Sequence, residues 1–376
     1  MVEHVSKDLG YDVPLDILSG TSVGAANVCA LAAWADEPKA RVGRLVSEWT
    51  GLRIGEVVRP TTSSVLDTLR NIIGGTFSAR EAAALFNPRA LEQLLRRVIA
   101  FRRIDRNLRA GHLSAVTVSA TQIATGRIVV FVQRRNARPA PWPASHNVIP
   151  RAVRLRMAHV LASAALPVMF PPVRIDGRYY CDGGLRQNIP LSPARRLGAE
   201  ALIVINPKFR DPKRRQPQVA LRKAEDFPNP LFLIGKVLNT MLLDRVDNEL
   251  DRMEKINTIL TAGERRFGPE FLADLNDELG RGDERKLVNL RTVHIRPSEN
   301  IGELSADYVR SPDFHVPGVL GRVMKRLAEG DALREADLLS YVLFDGEFAG
   351  RLIELGRADG RRYHDQLCAA FEPPAR

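Results

Sequence analysis

A serine held between two glycines, in Gly20-Thr21-Ser22-Val23-Gly24, and an aspartate followed by two more, in Asp182-Gly183-Gly184, are the residues of this 376-residue chain whose types and spacing suit chemistry. A Gly-x-Ser-x-Gly run fits a nucleophilic serine. A hydroxyl at the apex of a cramped strand-to-helix corner is presented outward, and flanking residues without a Cβ let backbone pass close to backbone. A plainer reading is a glycine-rich turn whose serine caps the following helix. A chance occurrence is expected about 0.1 times in a chain of this length, so the surrounding elements have to decide.

A serine hydroxyl needs a base to take its proton. Asp182 ends a strand-like run and precedes two glycines that permit close approach, which makes it a candidate; read alone, Asp-Gly-Gly is a turn. The seven histidines are His4, His112, His146, His159, His294, His315 and His364. None stands in a strand-end or turn context, and His294, His315 and His364 remain the alternative bases of a Ser-His-Asp arrangement.

The elements that must position these groups follow from the pattern around them. Leu15-Asp16-Ile17-Leu18 leans apolar and runs into Ser19 as a buried strand. Ala25, Ala26, Ala30, Leu31, Ala32 and Ala33 form a helix whose N-terminus faces Ser22, with the Val23 N–H as an oxyanion donor. Upstream, Met1 to Gly10 reads as the tail of a helix closed by Gly10. Downstream, helices are expected at Ala40 to Trp49 and Pro88 to Ala100, with a loop-prone link at Arg59 to Gly75 between them. The β-branched runs Ala115 to Thr121 and Arg127 to Val132 predict a pair of strands. Arg134 to Pro150 reads as a loop in which Trp142 favours a membrane surface over a core. Ala152 to Leu166 is expected to be a helix, Phe170-Pro171-Pro172 extended, and Arg178 to Cys181 a short strand delivering Asp182, with Cys181 packed on its opposite face. A buried strand at Ala201 to Ile205 follows. Residues Leu231 to Leu260, Pro269 to Leu279 and Pro317 to Phe371 are mainly helical, with a strand-like run at Leu290 to Ile295.

The chain carries 55 basic and 44 acidic side chains, a net charge of +11. Between Asp105 and Asp176 there is no acidic residue, whereas ten arginines fall there: 106, 109, 127, 134, 135, 138, 151, 154, 156 and 174. Such a block suits anionic head groups, or stands as a solvated face that keeps the protein soluble. Nucleic acid is disfavoured, because the arginines lack interleaved aromatics and a recognised binding motif. The three cysteines, Cys29, Cys181 and Cys368, lie far apart and match neither a disulfide framework nor a metal-ligand spacing. The longest apolar run, Leu231 to Leu243, is broken by Lys236 and Asn239 and is too short to span a bilayer.

Paired with the serine corner, the aspartate motif resembles that of the patatin-like phospholipases. The resemblance is carried by Gly20-Thr21-Ser22-Val23-Gly24-Ala25, then Ser119-Ala120-Thr121 with Thr125-Gly126, then Ala162-Ser163-Ala164-Ala165-Leu166-Pro167 with Phe170-Pro171-Pro172, and finally Asp182-Gly183-Gly184 with Asn188 and Pro190. These blocks stand in the family's order over most of residues 1–206. The resemblance implies an α/β fold of three layers, a central mostly parallel sheet between helices, to which a helical C-terminal extension is added. It implies lipid acyl-ester hydrolysis by a Ser-Asp dyad without cofactor or metal: Ser22 attacks the acyl carbonyl, Asp182 accepts its proton, and water releases the fatty acid. Family members normally carry a Gly-Gly-Gly-x-Arg/Lys-Gly loop upstream of the serine corner. Only nineteen residues precede Gly20 here and none forms that loop. The expectation is a protein that extends upstream; the alternative is a lipid-binding or scaffold protein that kept the fold without those oxyanion donors.

The expected organisation is a catalytic region over 1–206, a basic linker over 207–230 and a mainly helical region over 231–376. Phospholipid or another acyl lipid is the expected substrate. The arginine-rich region 106–175 is the expected membrane contact, at a cytoplasmic or peripheral location with export left open.

Overall fold

The structure, a computed structural model, describes residues 2–57, 88–135, 147–167, 169–185, 191–209, 245–280, 286–316 and 343–371, with 142, 144, 321–322, 324–325, 328 and 339–341. The link at 59–75, most of the linker at 207–230, residues 231–244, and Arg138, His146, Asn188 and Pro190 lie outside the described residues. The chain begins with helix α1 (Val2–Leu9), strand β1 (Ile17–Thr21), helices α2 (Val23–Ala33), α3 (Pro38–Thr50), α4 (Ile54–Val57), α5 (Pro88–Val98) and α6 (Phe101–Ala110), then β2 (Ala115–Gln122), β3 (Ile128–Arg134) and β4 (Val148–Ala152). Helix α7 (Met157–Ser163), β5 (Val173–Ile175), β6 (Arg178–Asp182), a 3-10 turn (Gly183–Leu185), α8 (Leu191–Arg196) and β7 (Ala201–Ile205) complete this half. The C-terminal part holds α9 (Arg245–Phe267), α10 (Phe271–Glu278), β8 (Arg291–Ile295), α11 (Ile301–Arg310), α12 (Gly346–Arg362) and α13 (His364–Phe371).

Six strands form the main sheet in the order β4-β3-β2-β6-β5, with β1 also paired to β2. All eight residues of β2 are buried, as a central strand requires. β1 runs parallel to the first half of β2, matching Ile17–Thr21 to Ala115–Ser119. β6 runs antiparallel to its second half, matching Asp182 to Ala120 and Tyr180 to Gln122. The two strands therefore approach each other head to head, and adjacent residues of β2, Ser119 and Ala120, are paired with Thr21 and Asp182.

Strand alternation sorts the side chains onto two faces. Val116, Val118 and Ala120 of β2 and Val129 and Phe131 of β3 join Ala25 and Cys29 of α2, Ile104 and Leu108 of α6 and Val160 of α7 in the main core. Fully burying each larger side chain contributes roughly 1.5–3 kcal/mol. On the opposite face Ile128, Val130 and Val132 pack on Trp142, and α8 lays Leu191 and Ala194 beside β7. The helical C-terminal extension is anchored in the same body. Tyr308, Phe314 and Phe348 enter the main core, β8 pairs in parallel with β7, and α13 sets Leu367 and Ala370 beside Val5 of α1 and Val293 of β8.

Several expectations are corrected. The main sheet is mixed rather than mostly parallel: β1–β2 and β3–β4 are parallel, but β2–β3, β2–β6 and β5–β6 are antiparallel. The turns after β2 and β5 are too short for anything but hairpins. β1 continues past Ser19 to Thr21, because the ladder with β2 persists that far. Val148–Ala152 is a strand, not loop and helix start; it lies at the sheet edge, where Pro150 withholds no needed ladder donor. Helix α7 is correspondingly shorter than Ala152 to Leu166. Trp142 is 3 % exposed and covers a sheet face rather than an outer surface.

Candidate active site

The ladder between β1 and β2 carries Ser22 to the point where β1 ends. Ser22 has φ 56° and ψ −130°, and Asp176 is the only other non-glycine with positive φ among the described residues. Holding an L-residue there costs about 1–3 kcal/mol, which the surrounding bonds must offset. Helix α2 begins at once, but the Ser22 side chain does not cap it. Its Oγ donates instead to Asp182 Oδ2 at 2.6 Å. The capping interpretation is excluded, and the half-buried hydroxyl stands between buried Thr21 and exposed Val23.

Gly20 and Gly183 make this approach sterically feasible. A Cβ on Gly20 would lie 2.4 Å from the Gly24 carbonyl oxygen, and one on Gly183 would lie 2.3 Å from that of Ser119. Gly24 differs from expectation: a Cβ there would meet nothing within 4 Å, so its backbone, not its missing side chain, makes the contact.

Asp182 is completely buried and held at every polar atom. Its Oδ1 accepts the Gly184 N–H at 2.6 Å, its N–H donates to the Ala165 carbonyl at 2.9 Å, and its carbonyl accepts from Thr121 Oγ1 at 3.0 Å. Burial pushes its pKa up from 3.8 to about 6, against the pull of the Ser22 and Gly184 hydrogen bonds. A carboxylate near pH 6 is a better base than an ordinary aspartate. Cys181 is buried with its Sγ 3.8 Å from the Thr121 carbonyl, and its thiol is raised to about 11 by burial and the adjacent Asp182. Ser163, at the end of α7, accepts the Ser22 N–H at 2.9 Å and donates to the Ser119 carbonyl at 2.6 Å.

No histidine enters this constellation among the described hydrogen bonds. His294 lies 3.3 Å from Asn206, His315 faces the Asp313 carbonyl at 2.9 Å, and His364 pairs with Asp8 at 2.9 Å. His159 is buried against Phe131, accepts the Arg156 N–H, and is lowered to about 4 by burial and Arg156. Among the described residues no group of three His, Cys, Asp or Glu side chains could hold a metal. The Ser22 to Asp182 hydrogen bond offers the Ser22 proton a direct route to a carboxylate.

A family model for patatin-like phospholipases matches residues 3–195. The chain belongs to the patatin-like phospholipase family. No curated protein matches it. The patatin blocks noted in the sequence meet at this site: the serine corner, the middle of β2 that pairs both strand ends, the turn after α7, and the end of β6. Ser163, Ala165 and Thr121, which bind this pair, stand inside the patatin blocks but carry no local sequence signal of these contacts.

The arginine-rich stretch is less uniform than its composition suggests. Arg106 pairs with Asp36 at 2.7 Å, Arg109 with Asp105 at 2.7 Å, and Arg154 approaches Asp105 at 3.5 Å, so acids from flanking sequence neutralise part of it. Arg127 precedes β3 and Arg134 is its last residue, so the two lie at opposite ends of the strand. Among the described residues no helix is long and apolar enough to cross a membrane.

Proposed function

We propose that this patatin-like protein hydrolyses fatty acyl esters of phospholipids or related lipids through Ser22 and Asp182. The observation that carries this reading is the 2.6 Å hydrogen bond from Ser22 Oγ to a buried carboxylate. As Oγ bonds to the acyl carbon, its proton passes to Asp182 Oδ2. The negative charge on the carbonyl oxygen develops beside the α2 N-terminus and the Val23 N–H. Collapse breaks the ester C–O bond, and Asp182 returns the proton to the leaving alcohol. Water then attacks the acyl-serine, gives a proton to Asp182, and releases the fatty acid as Oγ recovers its own. Gly20 and Gly183 allow the approach, and Gly184 holds the carboxylate from its far side.

The membrane contact proposed for region 106–175 takes in the β2–β3 turn, and we extend it to the adjoining β5–β6 hairpin. Ile123 and Tyr179 are 46 % and 53 % exposed and are joined by the bond from the Ile123 N–H to the Tyr179 carbonyl. Arg174 lies over the Tyr179 ring at 6.0 Å. An apolar tip beside a cation suits an anionic lipid surface. Incubation with a phospholipid labelled in its acyl chain tests the reading: free labelled fatty acid is expected, and none from Ser22→Ala. Release unchanged in that variant contradicts it, and vesicle binding without release favours the lipid-binding alternative.

A further inference from the structure

The turn that leaves α7 grips both halves of the pair. Ser163, fully buried, accepts the Ser22 N–H at 2.9 Å, and two residues later the Ala165 carbonyl accepts the Asp182 N–H at 2.9 Å. The Ser163 hydroxyl also donates to the Ser119 carbonyl at 2.6 Å, at the junction on β2 where β1 and β6 meet. A hydroxyl offers one proton and two lone pairs, so it can accept from Ser22 while donating to Ser119. Alanine offers neither function and threonine offers both. Ser22 needs such a hold, because its backbone sits at φ 56° and relaxation would rotate the nucleophile away from the carboxylate.

We propose that Ser163 is a positioning residue: by fixing the Ser22 backbone against β2 it sets the hydroxyl at proton-transfer distance from Asp182. This inference rests on the Ser-Asp reading above. It goes beyond it by making catalysis depend on a side chain that touches neither substrate nor the transferred proton.

The test compares the wild-type chain with Ser163→Ala, Ser163→Thr and Ser305→Ala. Ser305 is an equally buried serine that donates at 2.6 Å to the Gly302 carbonyl in α11, and it serves as a matched structural control. Ser163→Ala is expected to lower kcat about 10–100-fold, as small misplacements of reacting groups do. KM stays within about twofold, fluorophosphonate labelling of Ser22 slows in parallel, Ser163→Thr recovers most of the rate, and Ser305→Ala changes neither constant. Wild-type labelling with Ser163→Ala equally fast overturns the inference alone. So does an equal loss in Ser305→Ala. A wild-type chain that takes no phosphonate on Ser22 overturns the Ser-Asp reading and this inference with it. Should Ser163→Ala fail to fold, amide exchange in the wild-type chain decides: the Ser22 N–H is expected to exchange as slowly as the amides of β2, and free exchange contradicts the proposal.

Discussion

Replacing Asp182 by asparagine should abolish turnover and yet stabilise the protein, and the size of that gain follows from its surroundings. Burial lifts the carboxyl from 3.8 to about 6. Below 3.8 the acid is protonated in the folded and unfolded chain alike, and the fold bears no ionisation cost. As pH rises from there the unfolded chain ionises first, so stability falls, and above about 6 the loss is complete. At about 1.4 kcal/mol for each pH unit between the two values, the cost at pH 8 is about 3 kcal/mol. At pH 4.5 it is about 1 kcal/mol, because the unfolded carboxyl is already largely ionised there. In Asp182→Asn the amide oxygen still accepts from Gly184, and the amide NH2 donates to Ser22 Oγ, so both side-chain contacts survive with their direction reversed at the serine. The variant should therefore recover about 1–3 kcal/mol at pH 8 and about 1 kcal/mol or less at pH 4.5. Urea unfolding of both proteins at the two pH values reads this directly. A variant less stable than wild type at pH 8, or a gain that does not change with pH, would refute the idea that the site holds a destabilised carboxylate.

The remaining predictions concern the glycines and histidines. Gly183→Ala forces a Cβ to 2.3 Å from the Ser119 carbonyl oxygen, a backbone contact that cannot swing aside, so a loss of at least about 2 kcal/mol or failure to fold is expected in thermal unfolding. Gly24→Ala meets open space within helix α2 and should be neutral or stabilise by up to about 1 kcal/mol in the same assay. His294→Ala, His315→Ala and His364→Ala should each keep turnover within about threefold of wild type. A loss above about 100-fold in any one would restore the histidine as the base.

The sequence made the site more legible than the sheet around it. A nucleophile corner is a local device, so Gly20, Ser22 and the alanine-rich start of α2 disclose it within a dozen residues. Asp182 was legible only in company: Asp-Gly-Gly alone reads as a turn, and the serine corner with the other patatin blocks singled it out, while Gly183 proves to be needed where its Cβ would strike Ser119. What joins them, the head-to-head meeting of β1 and β6 along one edge of β2, has no signature in either segment. The same non-locality hid Ser163, whose partners lie 141 and 44 residues away. β4 and the three-residue β5 were missed because proline, arginine and shortness mask edge strands. Helix α6 was missed among its arginines, although Phe101, Ile104 and Leu108 keep a helical spacing. Helix α11 was also readable: Asn300 caps it through the Gly302 N–H, and Ile301, Leu304, Tyr308 and Val309 recur at helical intervals.

The pH dependence of fluorophosphonate attachment, with the adduct located by peptide mapping, tests the central claim most directly. A single adduct on Ser22 is expected, formed at a rate that rises through about pH 6 as Asp182 ionises, and lost in Asp182→Asn. An adduct on another residue, or an undiminished rate on Ser22 in Asp182→Asn, would contradict it.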